Sequence, residues 1–332
     1  MPGIVKSACV QALEAHARTT LGVFSRADAT RLQVPEALFS YHARPGGRWS
    51  RVLPEVYQLS GLAPEPDRAL LAALIWAGDQ AVLSHRTAAR IFGFDGLPRT
   101  DADTEIELWA PRSRGPAGIL VHRGALPAKD IETSGGLLRH TSLLRTLADL
   151  ARTTPDLDVL ELFVEAALRK EAALRKEPTL EATLRTAAAS APRQNRKWAT
   201  RLQEVLARRP AGAPPTESEL ETRYIQALRH ATRLPPPVRQ QEICDDAGRC
   251  IARLDLCWPE VGLWVELDGR QYHELPTALL HDRRRQNDLT TRLQWIPLRF
   301  TWEDVRKRPT ATARTTQAAY EARLAAEGRG EG

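Results

Sequence analysis

The sequence predicts a multidomain α+β chain, and three observations carry that prediction. Hydrophobic spacing switches between helical and alternating patterns several times along the 332 residues. Breaker clusters, "PGGRW" at 45–49 and "RRPAGAPPTE" at 208–217, punctuate the chain. Near the C-terminus, "RLDLCWPEVGLWVELDGRQYH" at 253–273 sets Asp255, Glu266 and Asp268 inside two apolar strands, where an unpaired carboxylate is costly. Composition allows large cores, with 42% hydrophobic and 27% charged residues. The net charge of +6 comes mostly from arginine, whose planar fork suits phosphate. The chain divides into four regions, 1–62, 63–155, 156–215 and 216–325.

In the first region Val10, Leu13, Ala17 and Leu21 recur at helical spacing and Gly22 stops the helix. Ser25 can cap a second helix with Asp28 as its acidic partner, and Pro35 sits at the favoured first position of a third, "PEALFSYHAR". After "PGGRW", "RWSRVLPEVYQLSG" reads as two β-segments around Pro54. Helix, tight turn, helix and a β-wing is an arrangement that lays one helix in a DNA major groove and a basic turn against phosphate. The DNA contacts expected are Ser40 and Arg44 on the recognition helix and Arg48 and Arg51 in the wing. Glu36 opposes phosphate unless it accepts from a cytosine amino group. The alternative is that the helix pair is only a packing unit.

The second region opens with the helix "PDRALLAALIWAG", followed by "LSHRTAARIFGFDGL", in which Ser84 can cap a helix that Gly93 ends. "TEIELWAP" and "AGILVHRG" read as strands and "TSLLRTLADLA" as a closing helix. His85, His122 and His140 show no ligand spacing in sequence and are expected to be satisfied structural histidines. Between 156 and 215 the chain is alanine-rich and charged, with the repeat "EAALRKEAALRK" expected on a solvated helix and "RRPAGAPPTE" as a stiff linker.

In the last region, pairing "IARLDLCW" with "GLWVELDG" about Pro259–Gly262 places Asp255 opposite Glu266, and alternation carries Asp268 to the face of Glu266. Like charges facing across a ladder destabilise it, and a divalent cation removes the conflict. Mg²⁺ (or Mn²⁺) takes one or two carboxylates plus water and substrate phosphate, so Asp255 and Glu266 suffice as metal ligands. Glu221, on the helix "ESELETRYIQALRHA", could face the same site, and His273 lies close enough to serve as a general base. Arg283, Arg284 and Arg285 supply charge for a DNA backbone. The strand "WIPLRFTWEDV" completes an αβββαβ order, that of the restriction-endonuclease core. The alternative is an edge hairpin whose acids are solvated.

Four cysteines lack paired zinc spacing, and although Cys244 and Cys250 flank a turn, scattered reduced thiols are the plainer reading. The longest apolar run, "ALLAALIWAG", is about half of the roughly 20 residues a membrane span needs. With no signal peptide at its start, the chain is expected to be cytoplasmic and away from membranes.

Two resemblances sharpen these expectations. "GVFSRADATRLQV", "GRWSRVLPEVYQLSG", "LSHRTAARIFG" and "LLRTLADLA", in that order over about residues 20–151, resemble the AbiEi family, the antitoxins of type IV abortive-infection (toxin–antitoxin) systems. That resemblance implies a winged helix that binds DNA, represses its own operon and accompanies a cognate toxin. "SELETR", "RLDLCWPEVGLWVELDGRQYH", "DRRRQNDL" and "WIPLRFTWEDV" resemble the very-short-patch repair endonuclease-like branch of the PD-(D/E)XK superfamily. It implies that Asp255 and Glu266 bind metal, that Glu221 supports them, and that Asp268 and His273 are catalytic or close to the metal. The chain departs from the superfamily at Leu254, where many members have Pro, and at Asp268, where they have the catalytic Lys; the repair branch also works without that Lys. Two functions are thereby expected: a metal-dependent endodeoxyribonuclease targeted by its own winged helix, or a DNA-binding regulator of antitoxin type whose C-terminal fold has lost catalysis.

Overall fold

The computed structural model describes residues 2–97, 105–111, 114–173, 180–192, 196–210, 212–244, 250–268 and 294–327. They form a multidomain α+β architecture in two compact units, residues 1–153 and 154–332.

In the first unit, α1 (Pro2–Thr19) buries Val10, Leu13 and Ala17. It ends at Gly22, whose φ of +86° is a conformation glycine adopts without strain and whose N–H bonds back to Ala17 O at 2.7 Å. β1 (Val23–Ser25) leads into α2 (Arg26–Arg31), where Ser25 and Asp28 close a reciprocal capping box. α3 (Glu36–His42) comes next, with Pro35 as the extended residue just before the helix, one position earlier than the sequence predicts, because its ψ is 143°. β2 (Trp49–Leu53) and β3 (Val56–Leu59) pair about Pro54–Glu55, giving an antiparallel sheet of order β1-β3-β2. Phe24 and Phe39 pack on Trp49 at ring-centroid distances of 5.3 and 5.4 Å, which fixes α3 against the sheet.

The same unit continues with α4 (Pro66–Ala77), β4 (Val82–Leu83), α5 (His85–Phe92), β5 (Ile106–Ala110), β6 (Ile119–Arg123), β7 (Ile131–Ser134), β8 (Leu138–Thr141) and α6 (Leu143–Thr153). The sheet order is β6-β5-β4-β8-β7. β4, β7 and β8 are absent from the sequence reading: the first is two residues long, and "IETS" and "LRHT" lack apolar alternation. Ala72 of α4 shares a core with Val23 and Val56, and Arg68 Nε donates to Leu21 O at 2.8 Å, so residues 1–62 pack against α4.

The second unit begins with α7 (Leu157–Ala173), α8 (Leu180–Ala189) and α9 (Arg196–Ala207). These helices are not a solvated spacer. α7 buries Leu160, Phe163 and Val164 together with Glu161 and Glu165. Glu165 is bound by Arg209, by Arg239 at 3.0 Å and by the Thr216 amide at 3.0 Å, so the Pro-rich stretch is pinned at Arg209 and Thr216. Burial pushes the Glu165 carboxyl up, and its two guanidiniums and the amide more than offset that, leaving it below the ordinary carboxylate range.

α10 (Glu219–Ala231) precedes β9 (Val238–Cys244), β10 (Cys250–Trp258) and β11 (Leu263–Asp268), and the unit ends with β12 (Ile296–Thr301), α11 (Trp302–Lys307) and α12 (Pro309–Glu327). The sheet order is β12-β11-β10-β9, antiparallel except for the parallel pair β11–β12. β10 and β11 are therefore inner strands of this sheet, not an exposed edge hairpin. Their tight connection rests on Gly262, at φ +59°, where an added Cβ would lie 3.0 Å from Arg323 and 3.2 Å from Trp295. Leu256, Trp258, Leu263 and Val265 pack with Leu220, Tyr224 and Leu228 of α10. Leu254, Cys257 and Trp264 form a second cluster. Trp258 and Trp264 are core residues.

Candidate functional site

The strand register pairs Leu256 with Val265 and Cys257 with Trp264, so Asp255 and Glu266 lie on adjacent inner strands, each next to the Leu256–Val265 pair. Strict alternation fails at Asp255. Leu254 and Leu256, two apart, lie in different clusters, and the β9 residue facing Asp255 is Gln240, at φ +51°. The Asp255 carboxylate accepts from the Leu267 amide at 3.4 Å.

Glu221, on α10, lies near Asp255. It is 4% exposed and accepts from Glu217 N at 2.9 Å, Ser218 Oγ at 3.1 Å and Gln240 Nε2 at 3.2 Å. Burial, opposed by the Glu217 amide and reinforced by the Asp255 charge, pushes its carboxyl up to about 7. Glu266, also buried, lies beside Arg299 of β12, with Nη2 to Oε2 at 2.5 Å. Asp268 ends β11 half-buried. His273, Arg283, Arg284 and Arg285 lie outside the described residues. A hard divalent cation fits this donor set. Asp255 and Glu266 offer oxygen donors, Glu266 already paired with Arg299, and Gln240 Oε1 is a buried acceptor with no hydrogen-bond partner among the described residues.

The N-terminal candidates divide. Arg44 lies over the Tyr41 ring at 4.1 Å, and Arg51 is exposed on β2, its Nε 3.4 Å from Leu53 O. Arg48 instead donates to the buried Glu14 at 2.8 Å, with Trp49 Nε1 at 3.3 Å from the same carboxylate. Ser40 Oγ donates to Glu36 Oε1 at 3.1 Å, and Glu36 also pairs with Arg26. Glu36, Ser40 and Arg44 line one side of a groove of about 430 Å³, closed by Arg26, Glu55 and Tyr57.

The histidines are hydrogen-bonded as expected, His85 Nδ1 lying 2.9 Å from Ser84 Oγ and His122 Nε2 3.0 Å from Glu107 Oε2. His140 is satisfied, at 2.8 Å from Ser134 Oγ and 3.0 Å from Thr141 O. His85, Glu107 and His122, however, present ligand atoms all within 4.8 Å of one another, the one such His/Cys/Asp/Glu group among the described residues, and can hold a metal ion. Sequence spacing hid them because β4–α5, β5 and β6 contribute one residue each. The nearest signal was "LSHR" at a strand-to-helix junction, where His85 takes φ +47°. Burial, together with the neighbouring His122, pushes His85 down to about 2, so its ring is neutral.

No protein-family model matches the chain. Two uncharacterized proteins of Mycobacterium tuberculosis are similar to it, one from strain CDC 1551 / Oshkosh and one from strain ATCC 25618 / H37Rv. Each is 29% identical over 260 residues, which cover 74% of this chain and 84% of the relative. Among the described residues, no helix is long and apolar enough to cross a membrane.

Proposed function

We propose that the protein binds DNA through its N-terminal unit and hydrolyses DNA phosphodiester bonds at Asp255 and Glu266 with Mg²⁺ or Mn²⁺. The observation that supports this reading is that Asp255 and Glu266 lie on adjacent inner strands, each next to the Leu256–Val265 pair, with Glu221 of α10 close enough to Asp255 for their charges to interact. A bound cation would polarise the scissile phosphate and lower the pKa of an attacking water. The chain's own groups have separate tasks. Asp255 and Glu266 would hold the cation, Gln240 and Ser218 orient Glu221, and Glu221 can take or release a proton near neutral pH. Arg299 places a guanidinium beside Glu266, a positive charge that this sheet supplies where Asp268 replaces the superfamily Lys.

On this reading the order α1-β1-α2-α3-β2-β3 is a winged helix, with α3 entering the major groove and Arg44 and Arg51 on phosphate. Arg48 is a structural partner of Glu14 first, and a phosphate contact only through its exposed end. The resemblances to the AbiEi antitoxins and to the repair-type PD-(D/E)XK nucleases agree with it. A second reading, a DNA-binding regulator or antitoxin without catalysis, is favoured by the Arg299–Glu266 pair, which already neutralises one of the two ligands.

Supercoiled and single-stranded DNA incubated with the full chain in Mg²⁺ or Mn²⁺, beside an Asp255→Ala, Glu266→Ala variant, separates the two. Nicking by the wild type alone supports the nuclease. Silence from both proteins, with DNA retained in a gel shift, supports the regulator.

A further inference from the structure

We propose that His85, Glu107 and His122 form a binding site for a borderline divalent transition metal, Zn²⁺ by its donor set, in the N-terminal unit and separate from the carboxylates of the C-terminal unit. Two imidazoles and one carboxylate are a ligand set that Zn²⁺ takes readily, whereas Mg²⁺ prefers oxygen donors and retains its waters. The spacing fits. Ligands about 2.0–2.1 Å from a tetrahedral zinc lie roughly 3.3 Å apart, and His122 Nε2 stands 3.0 Å from Glu107 Oε2.

The surroundings orient each donor as the outer contacts of a metal site do. His85 Nδ1 is 2.9 Å from Ser84 Oγ, which leaves Nε2 as its ligand atom. The Arg86 amide donates to Glu107 Oε1 at 3.3 Å, which leaves Oε2 toward His122. Glu107's own amide donates to Thr87 Oγ1 at 2.9 Å, tying the start of α5 to β5. The His85 and His122 rings stack with centroids 3.6 Å apart and planes at 18°, so binding requires the rings to splay until their nitrogen lone pairs converge. Nearby cationic charge is compensated: Arg145 pairs with Asp149 at 2.9 Å and with Asp130 at 3.2 Å, and Arg152 lies 3.6 Å from Asp149. The site therefore joins three separate elements, the α5 start, β5 and β6, and a bound ion would brace the sheet on which α5 rests.

The full chain, stripped of metal by chelation, is titrated with Zn²⁺ against a chromophoric chelator, beside His122→Gln, Glu107→Gln and, as a control for the other unit, Asp255→Asn. With excess Mg²⁺ present throughout to occupy the carboxylates, the expected result is one tightly held equivalent of Zn²⁺ in wild type and in Asp255→Asn, and a loss of affinity of about 100-fold or more in the two ligand variants. Failure of the nuclease assay leaves this result untouched, because the control variant isolates the two sites. A wild type that takes up no Zn²⁺, or ligand variants that bind as wild type does, overturns the proposal. Should the variants misfold by circular dichroism, diethylpyrocarbonate modification of His122 in the wild type asks the same question. Protection by Zn²⁺ supports the site, and an unchanged rate of modification leaves only a histidine–glutamate pair.

Discussion

Replacing Glu221 with Gln should change how the stability of the C-terminal unit depends on pH. Glu221 is buried beside Asp255, and its proton leaves near pH 7 instead of the ordinary 4.5. Below about pH 4.5 the carboxyl is protonated whether the chain is folded or unfolded, and it costs nothing. Between the two values the unfolded chain gives up the proton first, so stability falls as pH rises; above 7 the full cost of holding the charge is present. From pH 5 to pH 8 the difference is about 2–3 kcal/mol. Gln also loses acceptor capacity toward Glu217 N, Ser218 Oγ and Gln240 Nε2, but that loss does not depend on pH and cancels when the variant-minus-wild-type difference is compared at two pH values. The assay is urea unfolding at pH 5 and pH 8 with a chelator present, the relevant transition being assigned by hydrogen exchange of α10 and β10 peptides. The variant should gain about 2–3 kcal/mol relative to wild type between pH 5 and 8. Saturating Mg²⁺ should flatten the wild-type slope by favouring the charged form. A variant-minus-wild-type difference that is the same at both pH values would refute the placement of Glu221 against Asp255.

The same contacts set four further expectations. Arg239→Ala should destabilise the C-terminal unit by about 3–5 kcal/mol in chemical denaturation, since it strips a partner from the buried Glu165, and a loss below about 1 kcal/mol would contradict that account. Arg299→Ala should tighten Mn²⁺ binding several-fold by removing a competing cation from Glu266, yet slow nicking, and Arg299→Lys should restore part of the rate; unchanged affinity in the Ala variant would remove Arg299 from the site. Arg44→Ala and Arg51→Ala should each weaken DNA binding uniformly across sequences and lower the salt slope by about 1, whereas a wild-type slope would exclude phosphate contact. Arg48→Ala should instead lower stability by about 1–3 kcal/mol, because it strips a charged partner from buried Glu14, and thermal unfolding of the variant reads this directly.

How much of the fold was legible in the sequence depends on how local the physics is. Ser25–Asp28, Gly93 and the turn at Gly262 are set by neighbours within a few residues, and each appears where the residue types demand it. The antiparallel pairing of β10 with β11 was readable because a tight turn fixes how two strands pair. The break in alternation at Asp255 was not, since Leu254 and Leu256 join different clusters through contacts with other elements. Nor was the burial of α7: Glu161 and Glu165 look like a solvated face until Arg208, Arg209, Arg229 and Arg239 arrive from distant segments. The His85–Glu107–His122 cluster was hidden for the same reason, its members lying on three elements with no common spacing.

Mn²⁺ binding to the full chain, read by electron paramagnetic resonance in wild type, Asp255→Asn, Glu266→Gln and His122→Gln, tests the central claim most directly. A Mn²⁺ site that Asp255→Asn and Glu266→Gln each weaken and His122→Gln leaves intact is the expected result. Equal Mn²⁺ binding in wild type and both carboxylate variants would contradict it.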